Sequence, residues 1–255
     1  MAHMSYIFDF HTARAYEQWS NRPEIKRAET SELRLMMEML SPMRGKTVLE
    51  VGCGIGSGLI PFIEKGLLAT GIDPSPYMLD IAHRRLEDRA DLHRGSGEDL
   101  PFEDNSFNYV CLNSTLEFVD DYKAVIEEAC RVAKNMVYIG MMNRFALKGY
   151  RHRFNEILSE NIRVQLQYFS IGEIKCILRR LLGDVPIESR AIFHFPVSLM
   201  RLFSRLEQSR FFQRCPFGAY AGIVGCWFPG SKPGLWLWSI GRKGARVRFQ
   251  DESDT

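Results

Sequence analysis

The chain has no run of about 18 apolar residues, so no membrane-spanning helix is expected. No secretory leader is apparent either, and Met1, Ala2 and His3 ahead of Met4 read as an appended scar, with Met4 the expected start. Metal-type cysteine pairs are missing. The six cysteines, at 53, 111, 130, 176, 215 and 226, contain no C-x-x-C spacing and lie among apolar residues. That pattern excludes the usual zinc motifs, so no metal site is expected, and it suits reduced thiols in a cytoplasm. Charge of one sign is also scarce. A net charge of +2 leaves no strong field for a polyanion, and no RNA-binding module is recognisable, so a nucleic-acid partner is not expected. Internal repeats, low-complexity stretches and a G-x-S-x-G nucleophile elbow are absent as well. What remains, 255 residues at 45% apolar, is enough for one substantial core.

The most informative stretch is residues 48–58, V-L-E-V-G-C-G-I-G-S-G, followed by Asp73 in G-I-D-P-S. Residues 48–51 have the length of a buried parallel strand. Glycines follow at 52, 54, 56 and 58, then an apolar helical face at Leu59, Ile60, Phe62 and Ile63, then a second short run, 67–72, that ends in a carboxylate. Strand, glycine turn, helix, strand and acid make a nucleotide-binding half-unit: the glycines let backbone approach a ligand, and the acid accepts both hydroxyls of a ribose. The dinucleotide fingerprint G-x-G-x-x-G fails, because Ser57 or Leu59 stands where its third glycine belongs.

The spacing G-x-G-x-G after Glu50 resembles motif I of the class I S-adenosylmethionine-dependent methyltransferases. Three further stretches resemble the type-11 and UbiE-like group of that class, in its order and spacing: residues 95–110 (G-S-G-E-D-L-P-F-E-D-N-S-F-N-Y-V), 111–121 (C-L-N-S-T-L-E-F-V-D-D) and 127–134 (E-E-A-C-R-V-A-K). The chain departs from the group at Ser96, where an aspartate beside the adenine is usual, at Phe118, where a histidine is usual, and at Asn135-Met136, which replaces a Pro-Gly-Gly turn.

The resemblance implies a Rossmann-like α/β fold: a seven-stranded, mostly parallel sheet with helices on both faces and an antiparallel last strand. We expect a helical cover over residues 1–43, a cofactor-binding core over 44–143, a part completing the sheet and the acceptor pocket over 144–247, and a tail over 248–255, all within one domain. The local patterns predict helices at 11–20, 24–41 (with Thr30 or Ser31 capping a segment), 75–89 and 120–132, and a fifth strand at 136–142. Ser170 and Glu173 form a capping-box pattern ahead of an apolar face that ends at Gly183, and 185–195 alternates as a strand. Two runs, 220–228 and 235–241, compete for the sheet's last place.

The resemblance also implies S-adenosyl-L-methionine as cofactor and S-adenosyl-L-homocysteine as product. Glu50 would orient the loop by accepting backbone N–H bonds, while Gly52, Cys53, Gly54 and Gly56 lie against the methionyl part at a helix N-terminus. Asp73 takes the ribose, Met78 packs on the adenine, Ser96, Gly97 and Glu98 edge it, Asn113 sits at the fourth strand's carboxyl end, and Tyr16 covers the site. Cys53, Met78, Glu98 and Tyr16 also have plain packing or solvent-facing alternatives. The expected reaction moves a methyl group to O, N or C of a small, partly apolar molecule by in-line displacement. Base candidates are His11, His152, His194 and Tyr168, none in a motif that assigns it a role. The Arg151-His152-Arg153 run suits either an anionic acceptor or a solvated face. Phe193, Phe195, Phe211, Phe212, Phe217 and Trp227 suggest an apolar chamber, against core packing. Residues 113–116, Asn-Ser-Thr-Leu, lack the Pro-Pro-Tyr of base and glutamine methylators. A scaffold that binds cofactor or partner without catalysis, a dinucleotide oxidoreductase, and methylation of a protein or tRNA stand as other readings, and a homodimer stays open.

Overall fold

The computed structural model describes residues 6–145, 166–193 and 213–227, and every structural statement below concerns these residues. Their strands are β1 (Thr47–Val51), β2 (Leu68–Asp73), β3 (Asp91–Arg94), β4 (Phe107–Asn113), β5 (Ala133–Met142), β6 (Ile187–Ile192) and β7 (Tyr220–Cys226). They form one sheet in the order β3-β2-β1-β4-β5-β7-β6. The neighbours from β3 to β5 pair in parallel, and β7 runs antiparallel to both β5 and β6. This is the expected sheet, with β7 as the reversed strand. Of the two competing runs, 220–226 takes that place, while 235–241 lies outside the described residues. Packing favours the observed pairing: Gly140 on β5 and Gly222 on β7 leave the room that the Tyr220 and Tyr138 hydroxyls fill.

The helices are α1 (Phe10–Ser20), α2 (Pro23–Leu40), α3 (Ile60–Glu64), α4 (Pro76–Leu86), α5 (Tyr122–Val132) and α6 (Ile171–Leu182). Val125, Ile126 and Ala129 of α5 and Ile174, Leu178 and Leu182 of α6 cover one face of the sheet, over Leu49, Val51, Val110, Leu112, Val137 and Ile139. Leu35, Met36, Met39 and Leu40 of α2, with Phe62 and Leu86, cover the other, over Val48, Tyr109, Cys111 and Tyr138. Each such side chain taken fully out of water contributes about 1.5–3 kcal/mol. The period of two along β1 therefore sends Leu49 and Val51 to the α5 face, and Val48 and Glu50 to the α2 face.

Three local expectations are corrected. Thr30 and Ser31 cap nothing: α2 runs unbroken from Pro23, and their hydroxyls bond back to the Lys26 and Arg27 carbonyls. The helix after the glycines is short, a 3-10 turn at Ser57–Leu59 and then only five residues, because Pro61 sits in its first turn and Gly66 reverses the chain at φ 78°. The capping box is half made. Ser170 accepts the Glu173 N–H at 3.2 Å, but the Glu173 carboxylate turns to the Tyr122 hydroxyl and to Arg144.

The loop between β3 and β4, where the family-like stretch 95–110 begins, is held from α5. The Arg131 guanidinium donates to the carbonyls of Leu100 (3.0 Å) and Phe102 (2.8 Å) and to Asp104 and Glu128, and Glu128 accepts the Leu100 N–H. That network explains why an E-x-x-R pattern accompanies the L-P-F segment.

Candidate functional site

At the carboxyl ends of β1, β2 and β4 the chain encloses a cavity of about 1070 Å³. This is where ligands of open parallel sheets collect. The glycine loop forms its floor. Gly52 and Cys53 donate to the Ile72 carbonyl (2.8 and 3.1 Å), and Gly54 donates to Asp73 Oδ2 at 2.9 Å. Asp73 Oδ1 accepts the Ser75 N–H at 2.9 Å, so two backbone donors aim a buried carboxylate along the wall. Burial raises its pKa, and the Ser75 and Gly54 N–H groups oppose that rise.

Two glycines of the loop do different work. Gly52, at φ 70°, backs onto the methyl of Thr115, whose hydroxyl donates to the Val51 carbonyl at 2.8 Å. Gly54, at φ 51°, has nothing within 4 Å of where a side chain would start, so any side chain there enters the cavity. Gly56 is not on the wall, because it packs against Leu86 and Ala82. The helix-dipole argument weakens too: the following α3 is five residues long, and the Gly52, Cys53, Gly54 and Gly56 N–H groups all have protein acceptors.

The remaining expected cofactor residues, Tyr16, Glu50, Cys53, Met78, Ser96, Gly97, Glu98 and Asn113, all reach the wall. Ser96 donates to Glu98, and Tyr220 donates to the Asn113 side-chain oxygen, with Tyr138 behind it at 3.3 Å. Ser114, next in the chain, is held at φ 52° with its N–H on the Gly140 carbonyl at 2.8 Å, so the chain turns at the end of β4 beside the cavity. Met78 is buried with Phe8, Ile55 and Ile81. Tyr16 packs edge-on against Phe8 and at a tilt against Trp19. The segment before α1 is tied across the cavity by the Tyr6 N–H on the Phe118 carbonyl (3.0 Å) and the Ser75 hydroxyl on the Phe8 carbonyl (2.6 Å). No pattern in the sequence pointed to Phe8.

Glu50 departs from its expected role. It is 3% exposed and accepts no backbone N–H. Its Oε2 has no partner, and it lies against Gly58, whose missing side chain makes room for it. Burial, with Glu29 and Asp73 nearby, pushes its pKa up to about 8. Across the cavity α2 presents Ile25, Ala28, Glu29 and Glu32, four positions at i, i+3, i+4 and i+7. Burial, then Glu29 and Glu117, push Glu32 up to about 8. Burial raises Glu29 as well, opposed by Ser57, Arg85 and Lys26. Glu117 accepts the Met142 N–H on Oε1, has a buried, unpartnered Oε2, and is pushed by burial to about 7. Sequence reasoning missed Glu29, Glu32 and Glu117. For Glu29 and Glu32 the inward α2 face was the available signal.

The base candidates fare differently. His11 is exposed beside Phe10, and Tyr168 contributes its carbonyl to Arg144; neither is on the wall, and no histidine is among the described wall residues. His152 and His194 lie outside the described residues, as do Arg151, Arg153, Phe195, Phe211 and Phe212. Of the aromatics expected in a chamber, Phe193 is on the wall, Trp227 is core beside the α5 face, and Phe217 is 63% exposed. The aromatics that do line the cavity are Tyr6, Phe8, Tyr16, Trp19, Phe118 and Phe193. No described helix is long and apolar enough to cross a membrane, and no described cluster could hold a metal.

Residues 49–139 match a family described as a methyltransferase domain. An uncharacterized protein of Methanocaldococcus jannaschii is 34% identical over 145 residues, 56% of this chain and 64% of that one. The demethylmenaquinone methyltransferase of Oceanobacillus iheyensis is 36% identical over 105 residues, 38% of this chain and 44% of that one. The chain therefore spans less than two thirds of either relative. Among solved structures, a SAM-dependent methyltransferase of Thermotoga maritima, described as a possible histamine N-methyltransferase, aligns with a TM-score of 0.64 at 25% identity, covering 88% of this chain and 99% of that one. Magnesium protoporphyrin IX methyltransferase of Synechocystis, with bound SAH, aligns at 0.60 and 14% identity over 84% of this chain and 93% of that one, a likeness of fold alone.

Proposed function

We propose that this chain, whose residues 49–139 match a methyltransferase-domain family, transfers a methyl group from S-adenosyl-L-methionine to a small, partly apolar acceptor. The observation that carries the reading is the pairing of an open floor at Gly54 with the aimed carboxylate of Asp73. Those residues fit the cofactor: a flat, side-chain-free surface for its methionyl part, and an acceptor of two hydrogen bonds for its ribose. Met78 packs beside the adenine, Ser96, Gly97 and Glu98 edge it, and Tyr16 covers it. Asn113, held by Tyr220, faces the reacting end, and Glu50 lies beneath the loop as a buried hydrogen-bonding partner for the methionyl end. When bound, the cofactor supplies an activated methyl group whose leaving group is a neutral thioether. The chain needs to align the acceptor and exclude water, which the strap at Tyr6–Phe8 and helices α1 and α2 do from above. Buried thiols at Cys53, Cys111 and Cys130 support a cytoplasmic setting.

Calorimetric titration with S-adenosylhomocysteine tests the reading. We expect micromolar binding, none of NADH, and a loss of about 1.5–3 kcal/mol in Asp73→Ala, the scale of a lost charged hydrogen bond. Equal affinity in the variant would remove the ribose assignment, and a folded sample that binds NADH instead would favour the oxidoreductase reading.

A further inference from the structure

Two tyrosine hydroxyls are buried where phenylalanines would fill the core without removing a polar group from water. Tyr138 on β5 and Tyr220 on β7 are both fully buried on the α2 face of the sheet. A buried hydroxyl is costly unless it is hydrogen-bonded. Among the described residues these two bond to each other, at 3.3 Å, and through Tyr220 to the side chain of Asn113 at the end of β4. The backbone makes room for the contact. Gly140 on β5 pairs directly with Gly222 on β7. A side chain at 140 would strike the Tyr220 hydroxyl and the Asn113 oxygen, and one at 222 would strike the Tyr138 hydroxyl. The facing glycines thus open a passage from the core to a residue of the cavity wall.

The direction of the chain follows from its hydrogens. Each hydroxyl has one to place. Running from Tyr138 through Tyr220 to Asn113 Oδ1, the chain uses both. Running the other way, with the Asn113 amide donating to Tyr220 and Tyr220 to Tyr138, it leaves the Tyr138 hydrogen with no acceptor at a fully buried position. A stranded donor there costs its whole desolvation, so the first direction wins. The amide is therefore fixed with its oxygen toward the sheet. Its Nδ2 has no hydrogen-bond partner among the described residues and, unlike Glu50 Oε2, is not sealed from the cavity that Asn113 lines. This point of the wall offers donors and no acceptor. Its place in the sheet matters as well. Gly54 and Asp73, proposed for the cofactor, follow β1 and end β2, while Asn113 ends the next strand, β4. Beyond it the wall is Met142 at the end of β5, Phe193 after β6 and Ala219 before β7. The amide N–H2 stands at the edge of that apolar recess.

Resting on the methyltransferase reading above, we propose that Tyr220, backed by Tyr138, is a positioning residue: it locks the Asn113 amide so that its N–H2 selects a methyl acceptor by a hydrogen-bond-accepting oxygen carried on an apolar body. A protonated amine brings only donors to the same point and leaves the amide unpaired.

The test uses the full chain at pH 7 with saturating S-adenosylhomocysteine and three probes of one shape: acetophenone, ethylbenzene and 1-phenylethylamine, each titrated by ligand-observed NMR. We expect the ketone to bind at least fivefold more tightly than either other probe. Tyr220→Phe frees the amide to turn, so the ketone preference should fall below twofold, with the melting curve and S-adenosylhomocysteine affinity reporting that the fold persists. Asn113→Asp still accepts from Tyr220 but turns an acceptor toward the cavity, so the ranking should reverse in favour of the amine. Tyr109→Phe removes another buried hydroxyl from the same sheet face, away from the wall, and should keep the original ranking. A merely structural role for Tyr220 would lower all affinities together and leave the ranking unchanged, which overturns the inference. So does weaker S-adenosylhomocysteine binding in Asn113→Asp with an unchanged ranking, because the amide then serves the cofactor. Equal binding of the three probes, or binding of none, while S-adenosylhomocysteine binds sinks the inference and leaves the methyltransferase reading standing. The expected rankings without any S-adenosylhomocysteine binding keep the relay and sink the methyltransferase reading.

Discussion

Gly54→Val is expected to weaken S-adenosylhomocysteine binding more than a hundredfold while the sheet stays folded. Gly54 stands at φ 51° with open cavity where its side chain would begin, so the valine methyls occupy the floor against which the cofactor would lie. The left-handed backbone costs a branched residue roughly 1–2 kcal/mol, which a domain stable by about 5–15 kcal/mol survives. Gly52 is the contrasting case. A side chain there collides with Thr115, whose hydroxyl anchors the end of β4 to β1, so Gly52→Val should lower the melting temperature as well as binding. Calorimetry and a thermal melt on the two variants separate the effects. If Gly54→Val binds normally, the loop is not the cradle.

The ligand-free protein should lose stability as pH rises from 6 to 9. Glu32 and Glu50 titrate near 8 and Glu117 near 7 in the folded chain, all raised chiefly by burial from an ordinary value of 4.5. The folded state therefore holds protons that the unfolded state has already released. Stability from this source is complete below about pH 4.5 and is lost as pH climbs through 7 and 8. Each group contributes about 1.4 kcal/mol per pH unit at most. Because Glu29 acts on both Glu32 and Glu50, and Glu117 acts on Glu32, they titrate as a set and the sum falls short of additive. Several kcal/mol corresponds to a fall of roughly 10 °C in melting temperature. Glu32→Gln should flatten the slope. A melting temperature that is level or rises over this range would contradict the buried-acid description.

The loop and carboxylate proposed for the cofactor were legible because their chemistry constrains neighbours in sequence. A loop that must pass close to a ligand needs Gly52 and Gly54, and the acid that follows ends the adjacent strand at Asp73, so strand, turn and carboxylate recur at fixed spacing. The choice of β7 was not legible. Residues 220–226 and 235–241 are both short apolar runs, and what favours the first is room for two tyrosine hydroxyls across β5, a tertiary fact. Glu50 does line the cavity but was given the wrong partner, since only the fold shows the loop's N–H groups taken by the Ile72 carbonyl and Asp73. The α2 wall of the cavity was missed for a similar reason. Glu29 and Glu32 sit on an ordinary amphipathic helix. Their spacing with Ile25 and Ala28 puts them on one face, but nothing in the linear pattern says that this face looks at Glu50 across a cavity.

A crystal structure with S-adenosylhomocysteine bound tests the central claim most directly. The account predicts both ribose hydroxyls within hydrogen-bond distance of the Asp73 carboxylate, the homocysteine part lying on residues 52–54, and the sulfur facing the space between Asn113 and Glu32. A ribose resting away from Asp73, or a sulfur sealed from that space by the protein's own side chains, would contradict it.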